Sequence, residues 1–132
     1  MKYLLDINAL IAWEHPNSSH HADFHAWAKL AGPANLWTCA HTELGFVHVS
    51  MQVFGYSLGQ AADALKLMKG HIGGFVDVAP SPRLASWAST AVKTSDAYLT
   101  QVAHENGMRL ATFDSGIRDP VAELIGRTRR AS

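Results

Sequence analysis

The sequence predicts an α/β domain in which a parallel sheet of four or five strands carries helices on both faces. Three observations lead to this prediction. Short apolar runs alternate along the chain with longer segments whose apolar residues recur every three or four positions. The short runs are mostly apolar, as strands buried on both faces are. The length of 132 residues, of which 48% are hydrophobic, fits a single domain covering residues 1–132 and disfavours disorder.

Four short apolar runs are the predicted strands. The second follows Gly-Pro-Ala-Asn, the third lies between a Gly-Gly pair and Pro80, and the fourth follows Asn106-Gly107. Such residues favour turns and therefore bound the strands. The predicted strands cover residues 2–5, 36–40, 75–79 and 109–113.

The segments between and after the strands have the apolar spacing of helices that cover a sheet. Three stripes, over residues 44–54, 61–68 and 84–92, are interpreted as core. Ser95 is expected to cap a helix that ends at Asn106-Gly107, which puts Asp96 in its first turn. Asp119 followed by Pro120 predicts the start of a short last helix that Gly126 ends.

Composition excludes several classes of protein. Eleven Lys and Arg balance eleven Asp and Glu, so no overall basic field points to nucleic acid or membrane. The single Cys39 excludes an internal disulfide and a multi-cysteine zinc site. Asp6 and Asn8 interrupt the apolar N-terminal run, so no secretion signal is expected, and no stretch has the roughly 18 apolar residues of a membrane span. We expect a cytoplasmic protein without a membrane partner.

Four acidic residues lie where the carboxyl ends of parallel strands meet. Asp6 ends the first strand, Glu43 follows the second, Asp96 opens the helix before the fourth, and Asp114 ends the fourth. Ligands of open parallel sheets bind at this edge. Each acid alone is an ordinary turn or helix residue, but the coincidence of four is harder to explain that way.

Carboxylates that converge repel one another unless a cation holds them. A set of oxygen ligands selects a hard ion, Mg²⁺ or Mn²⁺, and such an ion can polarise a phosphodiester and lower the pKa of an attacking water. The four acids therefore indicate phosphodiester hydrolysis.

Four segments in order, LLDINAL at 4–10, TEL at 42–44, TSDAYL at 94–99 and ATFD at 111–114, resemble the PIN-domain ribonucleases. Within that family they are most similar to the VapC-type toxins of bacterial toxin–antitoxin pairs. The resemblance runs from Lys2 to about Gly116. Each motif alone is weak, whereas the ordered set is specific.

The resemblance implies a three-layer α/β/α PIN-like domain that acts as a Mg²⁺- or Mn²⁺-dependent endoribonuclease on RNA. It also implies a cognate antitoxin and a homodimer. By position, the catalytic and metal-binding acids would be Asp6, Glu43, Asp96 and Asp114, with Asn8 and Thr112 supporting their geometry. Where the family's first motif commonly has a hydroxyl residue, this chain has Ile7, and we expect this difference to alter the surroundings of the ligands without abolishing metal binding.

Two other functions are considered. A PIN-like module that binds RNA or protein without cleaving is disfavoured because an inactive site has no reason to keep four mutually repelling acids. A phosphoacceptor signalling domain would need an acid pair after the first strand and an Asp ending the third. Here Asn8 stands in place of a second acid, and Asp77 is predicted to lie inside the third strand.

The remaining polar residues give weaker signals. His21 and His25 have a zinc-compatible spacing, but without a third ligand they are interpreted, with His20, as surface histidines. His41 is near enough to Glu43 in sequence to line the mouth of an acidic pocket. Contacts to RNA phosphates are expected from the basic residues Lys93, Arg109, Arg118 and the arginines at 127–130.

Overall fold

A five-stranded parallel sheet forms the centre of the protein in a computed structural model that describes residues 1–126. The strands are β1 (Tyr3–Leu5), β2 (Leu36–Cys39), β3 (Gly74–Val76), β4 (Arg109–Thr112) and β5 (Ala122–Leu124), arranged in the order β3-β2-β1-β4-β5. The helices are α1 (Ile7–Glu14), α2 (His21–Ala31), α3 (Ala40–Gln52), α4 (Leu58–Lys69) and α5 (Thr94–Glu105). The predicted parallel α/β architecture is confirmed.

The sheet separates two apolar cores, because successive side chains of a strand point to opposite faces. In β1, Leu5 packs with α1, α2, α3 and α4, and Leu4 packs with α5. Both leucines are fully buried. A buried leucine stabilises the fold by about 1.5–3 kcal/mol, so β1 ties the two helical layers together and completes the α/β/α arrangement.

The predicted last helix is wrong. Residues 122–124 form β5, which pairs with β4 in the register Leu110↔Ala122. Asp119 still acts as a local acceptor, since its Oδ1 accepts from the backbone N–H of Val121 at 2.9 Å. A helix of so few residues is unstable alone. The edge of β4 instead offers backbone hydrogen-bond partners to residues 122–124.

The predicted helix over residues 84–92 is also wrong. Only the short 3₁₀ turn Ala91–Lys93 forms there, and Val92 is 82% exposed. The segment before it is held to α5 by side chains instead. Tyr98 donates to the carbonyl of Pro80, and Gln101 accepts from the N–H of Arg83. The apolar spacing is present, but it does not form one buried face: Trp87 packs against the core beside α5, whereas Leu84 and Val92 are exposed.

The third strand ends earlier than predicted. It covers Gly74–Val76, so Asp77 follows the strand and does not lie inside it. The strand order nevertheless separates Asp77 from Asp6, because β2 lies between β3 and β1. Doubly wound domains of the order 2-1-3-4-5 place these two strands side by side. The topology therefore does not bring Asp77 to the position that a phosphoacceptor site requires.

No helix within residues 1–126 is long and apolar enough to span a membrane.

A histidine lies in the apolar layer at the end of α1. His15 is 3% exposed, its Nε2 lies 2.9 Å from the Ser50 hydroxyl, and its ring stacks on Phe54 with 3.9 Å between centroids. Burial lowers the pKa of His15 below its ordinary value of 6.5, and the charge of Glu14 opposes this shift. The folded state therefore favours the neutral form of the His15 ring.

Acidification is expected to destabilise the protein through His15. Because its pKa is lower when folded, the unfolded chain binds the extra proton, and the stabilising contribution present above about pH 6.5 is lost as the pH falls below it. One proton changes the free energy of unfolding by at most about 1.4 kcal/mol per pH unit. Urea unfolding between about pH 7 and pH 5.5 should show a smaller pH dependence for His15→Gln than for the wild type.

The exposed His48 of the same region provides the matched control. His48→Gln should keep the wild-type pH dependence. Equal slopes for His15→Gln and the wild type would contradict the assignment.

Candidate active site

Three aspartates come together at the carboxyl edge of the sheet. Asp6 directly follows β1 and caps α1, accepting from the N–H of Ile7 at 2.7 Å. Asp114 follows the neighbouring strand β4, which is in register with β1 through Leu5↔Ala111. Asp96 lies in the first turn of α5, as predicted. Electrostatic interactions connect all three carboxylates.

Thr112 connects the Asp6 carboxylate to the backbone of Asp114. Its hydroxyl donates to Asp6 Oδ2 at 2.7 Å and accepts from the backbone N–H of Asp114 at 3.0 Å. Asn8 completes the network, because its amide donates to the Thr112 hydroxyl and its carbonyl accepts from the N–H of Phe113. Asn8 and Thr112 thus connect α1 to the end of β4 around Asp6.

The positions of Asp6 and Asp96 disfavour the ionised form of both side chains. The pKa of Asp6 is raised above 3.8, mainly because the side chain is buried, although the Thr112 hydrogen bond opposes this. The pKa of Asp96 is raised to about 6 by burial, then by the charges of Asp6 and Asp114 and a hydrogen bond with Asp114. Placing these three side chains together therefore costs stability.

The fourth predicted acid, Glu43, has different partners. It lies in the first turn of α3 and accepts a 2.6 Å hydrogen bond from the Thr38 hydroxyl. Its carboxylate also forms an ion pair with Lys69 at the end of α4, at 3.1 Å. An opposite charge already neutralises Glu43, unlike the three aspartates.

His41 lies in the first turn of α3 and reaches the first turn of α5. Its Nε2 is 2.6 Å from the Ser95 hydroxyl, and its electrostatic interaction with Asp6 lowers the pKa of that carboxyl. The expectation that Ser95 caps α5 is wrong, since the helix begins at Thr94 with Lys93 as its cap residue. The Ser95 hydroxyl is engaged with the histidine instead.

Ile7 has an apolar role where the related motif commonly has a hydroxyl. It packs against α3 at Gly45, where an added Cβ would lie 2.3 Å from Ile7 Cδ1. The glycine thus makes room for the isoleucine. The hydrogen bonds to Asp6 come from Ile7 N–H and Thr112, so this carboxylate is held without a hydroxyl at position 7.

The sequence did not point to Thr38 or Lys69. Lys69 lies 26 residues from Glu43 along the chain, and its position at the end of a helix is typical of a lysine that interacts with the helix dipole. Thr38 is one of many β-branched residues expected in strands. The junction of β2 and α3 brings Thr38 to Glu43, and the packing of α4 against α3 brings Lys69 there.

The histidines at 20, 21 and 25 are not arranged as a zinc site. His21 Nδ1 lies 2.7 Å from the carbonyl of Ala12, and His25 Nε2 lies 3.0 Å from the carbonyl of Trp13. His20 stacks on Phe113. The two hydrogen-bonded histidines connect α2 to α1, which is a structural role beyond that of plain surface residues.

The basic residues expected near RNA are distributed over both edges of the sheet. Arg109 begins β4, at the edge opposite Asp114, and is paired with Glu123 at 3.1 Å. Its predicted contact with RNA beside the acids is therefore not supported. Lys93 immediately precedes α5 and is three residues before Asp96. The arginines at 127–130 lie outside the described residues.

The chemistry of the aspartates fits a divalent cation. Within residues 1–126 no group of three or more His, Cys, Asp or Glu side chains is arranged to hold a metal ion. Mg²⁺ does not require one, because it is commonly held by one or two carboxylates together with water and substrate phosphate. The raised pKa of Asp96 is the property that a cation would reverse.

The chain is similar to known proteins over most of its length. The family model described as PIN domain matches residues 3–122. Ribonuclease VapC38 of Mycobacterium tuberculosis (strain ATCC 25618 / H37Rv) is 33% identical over 122 residues, which are 86% of each chain. Ribonuclease VapC39 of Mycobacterium tuberculosis (strain CDC 1551 / Oshkosh) is 32% identical over 133 residues, covering 90% of this chain and 93% of the relative.

Removing one charge from the aspartate group should stabilise the protein. Because the pKa of Asp96 is raised to about 6 in the folded state, its ionisation destabilises the fold at pH 7, and this penalty disappears as the pH falls through about 6 towards 3.8. Asp96→Asn should raise the free energy of unfolding at pH 7 by about 1 kcal/mol, a value discounted for the half-exposed side chain.

Chemical denaturation at neutral pH with a chelator present measures this gain. Asp63→Asn, an exposed aspartate on α4, is the charge-matched control and should change stability by less than about 0.5 kcal/mol. A destabilised Asp96→Asn protein would contradict the assignment of a destabilising charge to Asp96.

Proposed function

The chain belongs to the PIN domain family, and from this premise we propose that it is a metal-dependent endoribonuclease that hydrolyses RNA phosphodiesters as the toxin of a toxin–antitoxin pair. The observation that carries the proposal is the group formed by Asp6, Asp96 and Asp114 at the carboxyl edge of the sheet. Relatives named Ribonuclease VapC support RNA as the substrate.

We assign the resident cation as Mg²⁺ or Mn²⁺, since all the available ligands are carboxylate oxygens. Asp6, Asp96 and Asp114 would supply carboxylate ligands, with water and substrate phosphate completing the shell. Glu43, the fourth predicted acid, lies in the first turn of α3 and is paired with Lys69. When bound, the cation supplies neutralisation of the phosphodiester charge and activation of water. In the hydrolysis a bond forms from the water oxygen to phosphorus, the bond to the leaving oxygen breaks, and that oxygen gains a proton.

Thr112 and Asn8 orient the acidic residues and take no part in the reaction themselves. The Thr112 hydroxyl fixes Asp6 and the backbone before Asp114, and Asn8 fixes Thr112. Such supporting hydrogen bonds orient ligands, and losing one typically costs 10- to 100-fold in metal affinity or activity. The interaction with His41 lowers the pKa of Asp6 and thereby opposes the effect of burial.

A protein partner is part of the proposal. The described surface exposes large apolar side chains on α3 and α4, of which Leu44 and Leu67 are each 70% exposed. We propose that the cognate antitoxin covers apolar surface on the helices and presents a basic side chain to the acids, which would exclude cation or RNA. The homodimer implied by the resemblance stays a prediction.

An inactive PIN-like module is the alternative function. It would bind RNA or a protein through the same surface without cleaving. The stability cost of keeping Asp96 beside Asp6 and Asp114 favours the enzyme, because binding alone does not require that cost.

Cleavage of total cellular RNA by the purified protein with Mg²⁺ or Mn²⁺ tests the function. We expect discrete fragments that disappear with EDTA and decrease on the order of a hundredfold or more in Asp6→Asn and Asp96→Asn. Asp63→Asn should cleave like the wild type, because Asp63 is exposed on α4. Intact RNA with the folded wild type and both ions would overturn the proposed activity.

A further inference from the structure

A cavity of about 300 Å³ opens beside the acidic group, between the ends of β2 and β3 and the helix α5. This volume is at the lower end of the range of small-ligand pockets. Aromatic and apolar side chains form most of its wall. They include His41, Leu44, Phe75, Val78 and Tyr98.

Two of the rings are already fixed in place. His41 is held by the Ser95 hydroxyl at 2.6 Å, and Tyr98 donates to the carbonyl of Pro80 at 2.9 Å. The two rings meet edge to face with 5.8 Å between centroids. A ligand that binds against fixed rings pays little to order them.

A positive charge lies behind one lining residue of the cavity, Phe75, while Asp77 is the acid in the lining. Lys69 Nζ lies 4.6 Å from the centroid of the Phe75 ring and within 3.2 Å of both carboxylate oxygens of Glu43. The Thr38 hydroxyl holds Glu43 from the other side. The side chain of Lys69 is 40% exposed, so its ammonium group, which has three N–H donors, is open to a further acceptor.

One side chain connects the cavity to the aspartates. His41, which lines the cavity, interacts electrostatically with Asp6, and Ser95, which holds His41, precedes Asp96 in α5. The cavity and the aspartates are therefore neighbours on either side of His41.

We propose that this cavity binds one unpaired nucleotide of the RNA substrate next to the cleaved phosphodiester, with the base against the Phe75, His41 and Tyr98 side and a phosphate at Lys69. The inference rests on the proposed function. Unstacked bases of single-stranded RNA are recognised by stacking on aromatic side chains. A nucleotide carries an anionic phosphate and a flat aromatic base, which an ammonium group and an aromatic wall can bind together. In this arrangement Glu43 positions Lys69.

Binding of RNA to a cleavage-blocked protein tests the subsite. All variants carry Asp96→Asn, and fluorescence anisotropy with Mg²⁺ present measures the affinity for oligouridylate and oligoadenylate of about 12 nucleotides, within the usual range of single-strand site sizes. Phe75→Leu removes the ring and keeps an apolar side chain, and it should weaken binding about tenfold. Phe75→Tyr, which keeps a ring, should restore it.

Lys69→Met tests the phosphate contact. It should weaken binding and reduce the slope of log affinity against log salt by about 0.7, the value for one contact to a single strand. Lys66→Met is the matched control, since Lys66 is an exposed lysine of the same helix, and its salt slope should be unchanged. With an RNA duplex, whose bases cannot enter the cavity, Phe75→Leu should have no effect.

The outcomes separate this inference from the function. If the wild type cleaves RNA while Phe75→Leu and Lys69→Met bind like their controls, the subsite is overturned and the nuclease remains. If the same two variants weaken only the complex with the antitoxin, the cavity belongs to the protein partner and the inference is wrong. If the wild type neither cleaves nor binds RNA, the function fails together with the subsite. Circular dichroism confirms that each variant is folded.

Discussion

The hydrogen bond from Thr112 to Asp6 is the interaction on which the rest of the site depends. It joins the ends of the adjacent strands β1 and β4 at 2.7 Å, and the same hydroxyl accepts the N–H of Asp114 and the amide of Asn8. Carboxylates that repel each other would otherwise turn towards solvent. Because Asp6 is only 4% exposed, this bond also compensates part of the cost of burying it.

The two apolar cores offset the loss of stability that the clustered aspartates cause. Leu4 and Leu5 anchor β1 on both faces of the sheet, and Leu110 anchors β4 beside it. The positions of Asp6 and Asp114 follow from these buried strands, because each acid is the first or second residue beyond a strand end. Packing in the core thus keeps the carboxylates of Asp6 and Asp114 close together, although each would be better solvated apart. This is a common compromise between stability and function.

The parts of the fold predicted correctly are those that depend on local pattern. Apolar runs identified β1, β2 and β4, and the shared edge of parallel strands placed Asp6 and Asp114 together. The failures arise from packing that no local pattern encodes. Residues 122–124 pair with β4 although their spacing suits a helix, and of the stripe over residues 84–92 Trp87 packs on the core while Leu84 and Val92 are exposed. Lys69 reaches Glu43 only through the tertiary arrangement of α4.

The most direct measurement is Mn²⁺ affinity, by calorimetric titration, together with RNA cleavage for Thr112→Val. This variant keeps the shape of the side chain and removes the hydroxyl that fixes Asp6. Thr100→Val, a buried threonine of α5 whose hydroxyl bonds only its own helix backbone at Ala97, is the matched control. The account predicts a 10- to 100-fold loss of metal affinity and cleavage for Thr112→Val and near wild-type values for Thr100→Val. Unchanged metal affinity and cleavage in a folded Thr112→Val protein would contradict it.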